Sequence, residues 1–224
     1  METSIVYLLT WVIAIASLGV SFVLKLVFSK YTKQPNSLGY TGVDIVHKLG
    51  EVTGIKLDIK RGRGTLTDYY DPRNDTITLS ESVYSVPSIA SIGVAAHEFG
   101  HALQKHENYP FLRLRSLMVP VVNIGTNLGF WIFMAGIVLN VLNLAYLGLV
   151  LFGASVIFTL ITLPVEFNAS SRALKLLEDI GLEQDELKKV KKVLSLAALT
   201  YVMAFASAVT NFLYMLSMLQ KHDN

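Results

Sequence analysis

The sequence contains no cysteine in its 224 residues. Disulfide bonds and thiolate metal sites are therefore excluded, and any metal ion must be bound by histidine and carboxylate side chains. Charge is also scarce, since Asp, Glu, Lys and Arg make up 16% of the residues, against about 25% in average soluble domains. The net charge of +2 is too small to indicate nucleic-acid binding. With 52% hydrophobic residues and a mean hydropathy of +0.48, this composition indicates a membrane protein.

Four apolar runs are long enough to span a bilayer as helices. They comprise residues 5–28, 118–139, 144–163 and 193–219. A helix rises about 1.5 Å per residue, so about 20 apolar residues cross the hydrocarbon core. The first run lacks a basic leader and is longer than the apolar part of a signal peptide, which predicts a retained anchor. Only Asn140–Asn143 separate the second and third runs, which predicts a transmembrane hairpin.

These runs divide the chain into five predicted segments. They are an anchor over 1–28, a polar segment over 29–115, a hairpin over 116–165, polar helices over 166–192 that are predicted to break at Gly181, and a last span with a short tail over 193–224. The Lys and Arg residues near the span ends fall on the side of the two polar segments, and Lys221 alone falls on the other. Because cytoplasmic loops carry the Lys/Arg excess, both polar segments are predicted to face the cytosol and both termini the outside.

The first polar segment has the pattern of a small α+β domain. An amphipathic helix is predicted to begin at Thr41-Gly42, with a buried side formed by Val43, Ile45, Val46 and Leu49. Apolar alternation predicts a short strand over 55–59, and Arg61-Gly62-Arg63-Gly64 is predicted to form a basic turn after it. Thr65–Tyr70 and Thr76–Leu79 flank a turn, as in a β-hairpin. Ser88 is placed to cap the helix that follows it.

That helix carries an H-E-x-x-H motif, from His97 to His101. Residues i and i+4 share one face of a helix, so His97 and His101 can direct two imidazoles at one metal ion. Glu98 lies one step round the helix, where its carboxylate can reach an activated water. The pattern also occurs by chance, as a polar pair on a helix. However, the apolar residues before it indicate a buried helix, where unsatisfied His and Glu side chains are costly, and this favours a metal site.

A catalytic zinc site usually has a third protein ligand. The longer pattern H-E-x-x-H-x-x-G-x-x-H is excluded, because Gln104 and Glu107 stand where it requires Gly and His. Glu166 is the best candidate for a distant acidic ligand, since the predicted hairpin returns it to the membrane face of His101. The alternative for Glu166 is an interfacial carboxylate that caps a helix, and His106 and Glu107 are the next candidate ligands.

Four blocks of sequence together carry a resemblance to a known family. The blocks are Leu66–Pro72, Leu79–Tyr84, Gly93–Gln104 and Leu163–Ser170. They resemble the YugP-like membrane-bound neutral zinc metallopeptidases of bacteria, relatives of the HtpX-type membrane peptidases, and the likeness covers nearly the whole chain. The resemblance implies a zinc peptidase with His97, His101 and Glu166 as Zn²⁺ ligands and Glu98 as the catalytic base. The expected fold is a mainly α membrane protein, with four transmembrane helices and a small, gluzincin-like α+β cytosolic domain.

Several positions depart from the family pattern. Tyr69 stands where a His is expected, Asn168 where an Asp is expected, and Ser171 where an Arg is expected. Ser170 stands where HtpX-type peptidases carry an Asp four residues after the ligand Glu. If one of those groups orients a ligand His in the relatives, the residues around the metal ligands must be arranged differently here.

Two functions from different classes follow. The first is a zinc-dependent endopeptidase at the cytosolic face of the cell membrane, which cleaves polypeptides such as membrane proteins, as in quality control. A strand of the predicted hairpin can pair with an extended substrate. The candidate oxyanion donors are Tyr69, Tyr70, Tyr84 and Arg172. The second function is a non-catalytic membrane scaffold or chaperone partner, whose structural metal is closed by a fourth ligand such as His106; the presence of Glu98 favours the enzyme.

Overall fold

A computed structural model of the protein describes residues 3–222. The elements in chain order are α1 (Thr3–Thr32), α2 (Gly42–Thr53), β1 (Asp58–Gly62), β2 (Tyr69–Asp71), β3 (Thr76–Ser80), α3 (Glu81–Tyr84), α4 (Ile89–His106), α5 (Pro110–Val138), α6 (Leu142–Asp179) and α7 (Gln184–His222). As predicted, the fold is mainly helical with one small sheet. The described chain divides into two compact units. One comprises the residues up to Val20, Arg113–Pro164 and those from Thr200 on, and the other comprises Ser21–Leu112 and Val165–Leu199.

Within residues 3–222, four helices are long and apolar enough to cross a membrane, in agreement with the four predicted spans. They are Ile5–Thr32, Pro110–Val138, Leu142–Asp179 and Gln184–Lys221. Two of them extend well beyond their apolar runs, because α6 continues through Pro164 to Asp179 and α7 begins at Gln184. The polar residues on either side of Gly181 therefore continue the helices that could span a membrane. Gly181 lies in the break between α6 and α7, as predicted. Its φ of +91° is a backbone conformation that residues with a side chain rarely adopt.

The unit that contains Arg113–Pro164 has a small core of its own. Phe133, Ala145 and Leu219 are fully buried in it. Two glycines bring the backbones of α5 and α6 together: a Cβ on Gly136 would lie 2.3 Å from the amide nitrogen of Ala145, and one on Gly148 would lie 2.3 Å from that of Phe133. Small residues at such contacts allow transmembrane helices to pack closely, where lipid offers no hydrophobic driving force.

The sheet belongs to the other unit and has the strand order β1-β3-β2. β2 pairs antiparallel with β3, with Tyr70 opposite Ile77, so the predicted hairpin is present with a shorter first strand. β1 pairs in parallel with β3. It begins at Asp58, later than predicted, and its Arg61-Gly62, predicted to form a turn, pairs with Leu79-Ser80. Apolar alternation identifies the strand's faces, but the pairing partner sets where the strand begins and ends.

α4 packs against α2, α3 and the strands β2 and β3 in this unit. Ile45 and Leu49 of α2, predicted to face the core, are fully buried, and so is Phe99 of α4. Ser88 caps α4 as predicted, because its hydroxyl accepts a hydrogen bond from the backbone amide of Ser91 at 3.1 Å. The helix that carries the H-E-x-x-H motif is thus surrounded by its own unit and fixed at its first turn.

Candidate metal centre

The two histidines of the motif meet one carboxylate. The ring centroids of His97 and His101 lie 4.8 Å apart, with the rings nearly perpendicular. Glu166 Oε2 of α6 lies 3.3 Å from His97 Nε2 and 3.6 Å from His101 Nε2. Potential ligand atoms of the three residues all lie within 4.8 Å of one another. The structure therefore brings together the three residues predicted as metal ligands.

A backbone contact between α4 and α6 makes this meeting possible. Gly100, inside the motif, faces Ala169 of α6, and a Cβ on Gly100 would lie 2.6 Å from the Ala169 carbonyl oxygen. A side chain there would therefore force the helices apart. Ala169 is fully buried and Glu166, one turn earlier on the same helix, is 1% exposed. Gly100 thus sets the distance between the helices that carry the candidate ligands.

The donor set fits zinc. Two imidazole nitrogens and one glutamate oxygen form a known ligand set of catalytic zinc, which leaves a fourth position open. An imidazole that binds metal through one nitrogen normally hydrogen-bonds through the other. His97 Nδ1 lies 3.2 Å from Ser170 Oγ, and His101 Nδ1 lies 3.0 Å from Gln104 Oε1. Both rings therefore have partners on the side away from Glu166.

Glu98 is a buried carboxylate beside this group, 8% exposed. Its pKa is raised to about 7, mainly because burial disfavours the charged form. The carboxylates of Glu166 and Asp68 contribute to this increase in pKa, whereas His97 and the backbone N–H of Tyr70, which donates to Glu98, oppose it. A carboxyl group with a pKa near neutrality suits proton transfer at neutral pH.

The other residues considered as ligands lie elsewhere. His106 Nε2 lies 3.5 Å from Asp75 Oδ1, and its side chain is 40% exposed. Glu107 pairs with the guanidinium of Arg172 at 2.6 Å. Within residues 3–222, the group of His and carboxylate side chains that could hold a metal ion comprises only the three named above.

Three of the four candidate oxyanion donors have other partners. Tyr70 donates its hydroxyl hydrogen to Asp75. The ring of Tyr84 lies beneath a guanidinium group, and Arg172 pairs with Glu107 as described. Tyr69 on β2 is 53% exposed, and it remains the candidate oxyanion donor that a substrate can reach from solvent.

Sequence reasoning missed the role of Gln104 at this centre. The residue served only to exclude a longer motif, yet it is fully buried and contacts His101. The available signal was its spacing, since a residue three positions after a ligand lies on the same helix face. A polar residue on that buried face needs a partner, and the ring of His101 is a partner that this spacing offers on the same helix.

Two comparisons relate the chain to known proteins. Residues 6–220 match the model of a protein family described as "Putative neutral zinc metallopeptidase". A protein of Bacillus subtilis (strain 168) named "Putative membrane protease YugP" is 46% identical over 198 residues, which cover 86% of this chain and 88% of that protein. No solved structure is significantly similar to the chain. With a family match over nearly its whole length and a relative alike over most of both chains, the chain belongs to the neutral zinc metallopeptidase family.

Proposed function

We propose that the protein is a zinc-dependent endopeptidase of the gluzincin type, which hydrolyses peptide bonds at the cytosolic face of the cell membrane. The observation that carries this proposal is the convergence of His97, His101 and Glu166 within 4.8 Å, beside a buried Glu98. The family description as a zinc metallopeptidase and the relative's name as a membrane protease support it.

Each residue of the centre has a defined task in this proposal. His97, His101 and Glu166 would hold the zinc ion, as the three protein ligands that a catalytic zinc site commonly has. Zinc bound there would lower the pKa of its water toward about 7 and polarise a peptide carbonyl. Glu98 takes a proton from the attacking water on its carboxylate and passes it to the amine of the leaving group.

β2 is the strand that offers an edge to an extended substrate. β3 lies between β1 and β2, so of the two hairpin strands β2 alone can accept another strand. The backbone of Tyr70 on β2 donates to Glu98, so a peptide paired with this strand would pass close to the proposed base. The exposed Tyr69 on the same strand is the proposed donor to the substrate's carbonyl oxygen.

Metal content and cleavage test the proposal together. The protein purified in detergent is expected to contain about one zinc ion per chain and to cleave casein. A zinc chelator should abolish the cleavage and added zinc should restore it. Stoichiometric zinc without any cleavage would contradict the enzyme and favour a scaffold with a structural metal.

The membrane side of the centre is a separate prediction. From the Lys/Arg asymmetry, residues 29–115 and 166–192 are expected inside and both termini outside. Because the chain has no cysteine, Arg63→Cys and Lys221→Cys, both at exposed positions, each create a unique label site. An impermeant maleimide should label Lys221→Cys in intact cells, and Arg63→Cys only after permeabilisation. The opposite labelling would place the centre outside.

Membrane proteins and their exposed termini are the proposed substrates, and their quality control is the proposed role. The supporting observation is that four helices are suited to span the bilayer. A catalytic centre held at the membrane by such helices would encounter polypeptides at the membrane surface more often than polypeptides in the surrounding solution. The labelling experiment also tests the proposed division of the chain into five segments by membrane side.

A further inference from the structure

Gln104 connects the two helices that carry the candidate metal ligands. Its side chain is fully buried in α4, one turn after His101. Its Oε1 lies 3.0 Å from His101 Nδ1. Its Nε2 donates to the carbonyl oxygen of Val165 at 2.8 Å and to Asn168 Oδ1 at 2.9 Å. Val165 directly precedes Glu166, so one amide contacts a ligand ring on α4 and the backbone beside a ligand on α6.

The partners of this amide leave it one orientation. The Val165 carbonyl can only accept a hydrogen bond, so Gln104 Nε2 must face it. Asn168 Oδ1 also receives the Nε–H of Arg172 at 2.7 Å. A guanidinium is only a donor, so this oxygen must face both Arg172 and Gln104. Gln104 Oε1 is then left to accept from His101 Nδ1, which must carry the hydrogen.

The two histidines consequently differ in how strictly their hydrogen-bond partners fix the tautomer of the ring. With its hydrogen on Nδ1, His101 presents the lone pair of Nε2 on the side of Glu166. His97 Nδ1 faces the hydroxyl of Ser170 at 3.2 Å. A hydroxyl donates and accepts equally well, so this contact is compatible with either tautomer of His97.

The hydrogen bonds from Gln104 through Asn168 lead to Arg172, whose position is also fixed. Arg172 pairs with Glu107 at 2.6 Å, and its guanidinium lies 6.0 Å from the centre of the Tyr109 ring. Both partners lie just beyond the end of α4. In these contacts Asn168 acts through its oxygen alone, which an Asp at the same position would also supply.

We propose that Gln104 is a positioning residue for the metal, which holds His101 in the Nδ1–H tautomer and ties α4 to the turn of α6 that carries Glu166. The inference rests on the proposed function only in taking His101 and Glu166 as ligands. The two ligands are then aligned before the metal binds. Loss of a residue that hydrogen-bonds to a metal ligand in this way lowers metal affinity by about 10–100-fold.

Zinc affinity of the full-length protein in detergent tests the proposal, measured by competition with a chromophoric chelator. Gln104→Met keeps the volume but removes every hydrogen bond, and is expected to weaken zinc binding by about 10–100-fold. Asn168→Asp keeps the oxygen acceptor and should bind zinc as the wild type does. Gln184→Met, at an exposed glutamine, is the matched control and should leave the affinity unchanged.

The tautomer of His101 gives a readout that a merely structural role would not change. Histidine-labelled, zinc-free protein at about pH 8.5, above the usual pKa of histidine, can be examined by nitrogen-15 NMR. The His101 signal is assigned as the one missing in His101→Gln. Wild type and Asn168→Asp should show hydrogen on Nδ1, and Gln104→Met should shift the population toward Nε2–H.

Two results would overturn the proposal. One is a wild-type His101 with its hydrogen on Nε2, a measurement that needs no variant and decides the matter even if Gln104→Met does not fold. The other is a folded Gln104→Met with zinc affinity within about twofold of wild type, well below the expected loss, and an unchanged tautomer. Neither readout depends on proteolysis, so a protein that binds zinc but cleaves nothing would refute the proposed enzyme and leave this test intact.

Discussion

Glu98→Gln is expected to slow peptide cleavage by about 10²–10⁴-fold, the usual contribution of a general acid–base group, with zinc bound as in the wild type. The amide has the shape of the carboxylate and can still accept the Tyr70 N–H, so the fold should be kept. It cannot take a proton from water at neutral pH. Initial rates on a fluorogenic peptide and metal content by mass spectrometry provide the two measurements.

Glu183→Gln is the matched control, because the same change is made at an exposed glutamate and should alter neither quantity. The ratio of the two measurements decides the role of Glu98. If activity and zinc fall together in Glu98→Gln, the residue is needed to bind the metal, and its assignment as the base is wrong.

Glu166→Ala is expected to reduce zinc affinity by more than the 10–100-fold that is lost when a hydrogen-bond partner of a metal ligand is removed. Its Oε2 lies within 3.6 Å of the Nε2 atoms of both His97 and His101, so the substitution would remove one of three ligands. Bound zinc and peptide cleavage should fall together, in contrast to Glu98→Gln. Intact-protein mass spectrometry under native conditions measures the occupancy directly.

Glu178→Ala serves as the comparison on the same helix. Glu178 lies three turns further along α6 and its carboxylate accepts an exposed hydrogen bond from Gln184, so its loss should leave zinc and activity unchanged. Full zinc occupancy in Glu166→Ala would refute the proposed ligand set, and the ligand would then have to come from outside the group that the described residues form.

The features that sequence predicts well here are those set by local chemistry. The Ser88 cap, the break at Gly181 and the four apolar helices each depend on a short stretch of chain. The approach of Glu166 to the histidines is also predicted from sequence, because the predicted transmembrane hairpin is expected to return Glu166 to the membrane face of His101.

Features that depend on how helices rotate and continue are not predictable from local patterns. The contacts of Gln104 with Val165 and Asn168 require one particular face of α6 to meet α4, and an apolar run does not specify that face. The lengths of α6 and α7 were underestimated for a different reason. The end of an apolar run indicates where side chains pass from apolar surroundings to water. A helix ends where its backbone hydrogen bonds end, and these continue past that point in α6 and α7.

The contact between Gly100 and Ala169 bears on how the proposed zinc site would be loaded with metal. Where a metal alone draws its ligands together, binding and folding are one event, and the apoprotein is unfolded. Here backbone packing and a buried core already hold α4 against α6, so the free energy of zinc binding at the proposed site would not be consumed in ordering the chain. Under the proposed function, the protein would therefore fold first and bind zinc later. Synthesis of the proposed peptidase and its activation would then be separate events, and the second would be governed by the supply of metal.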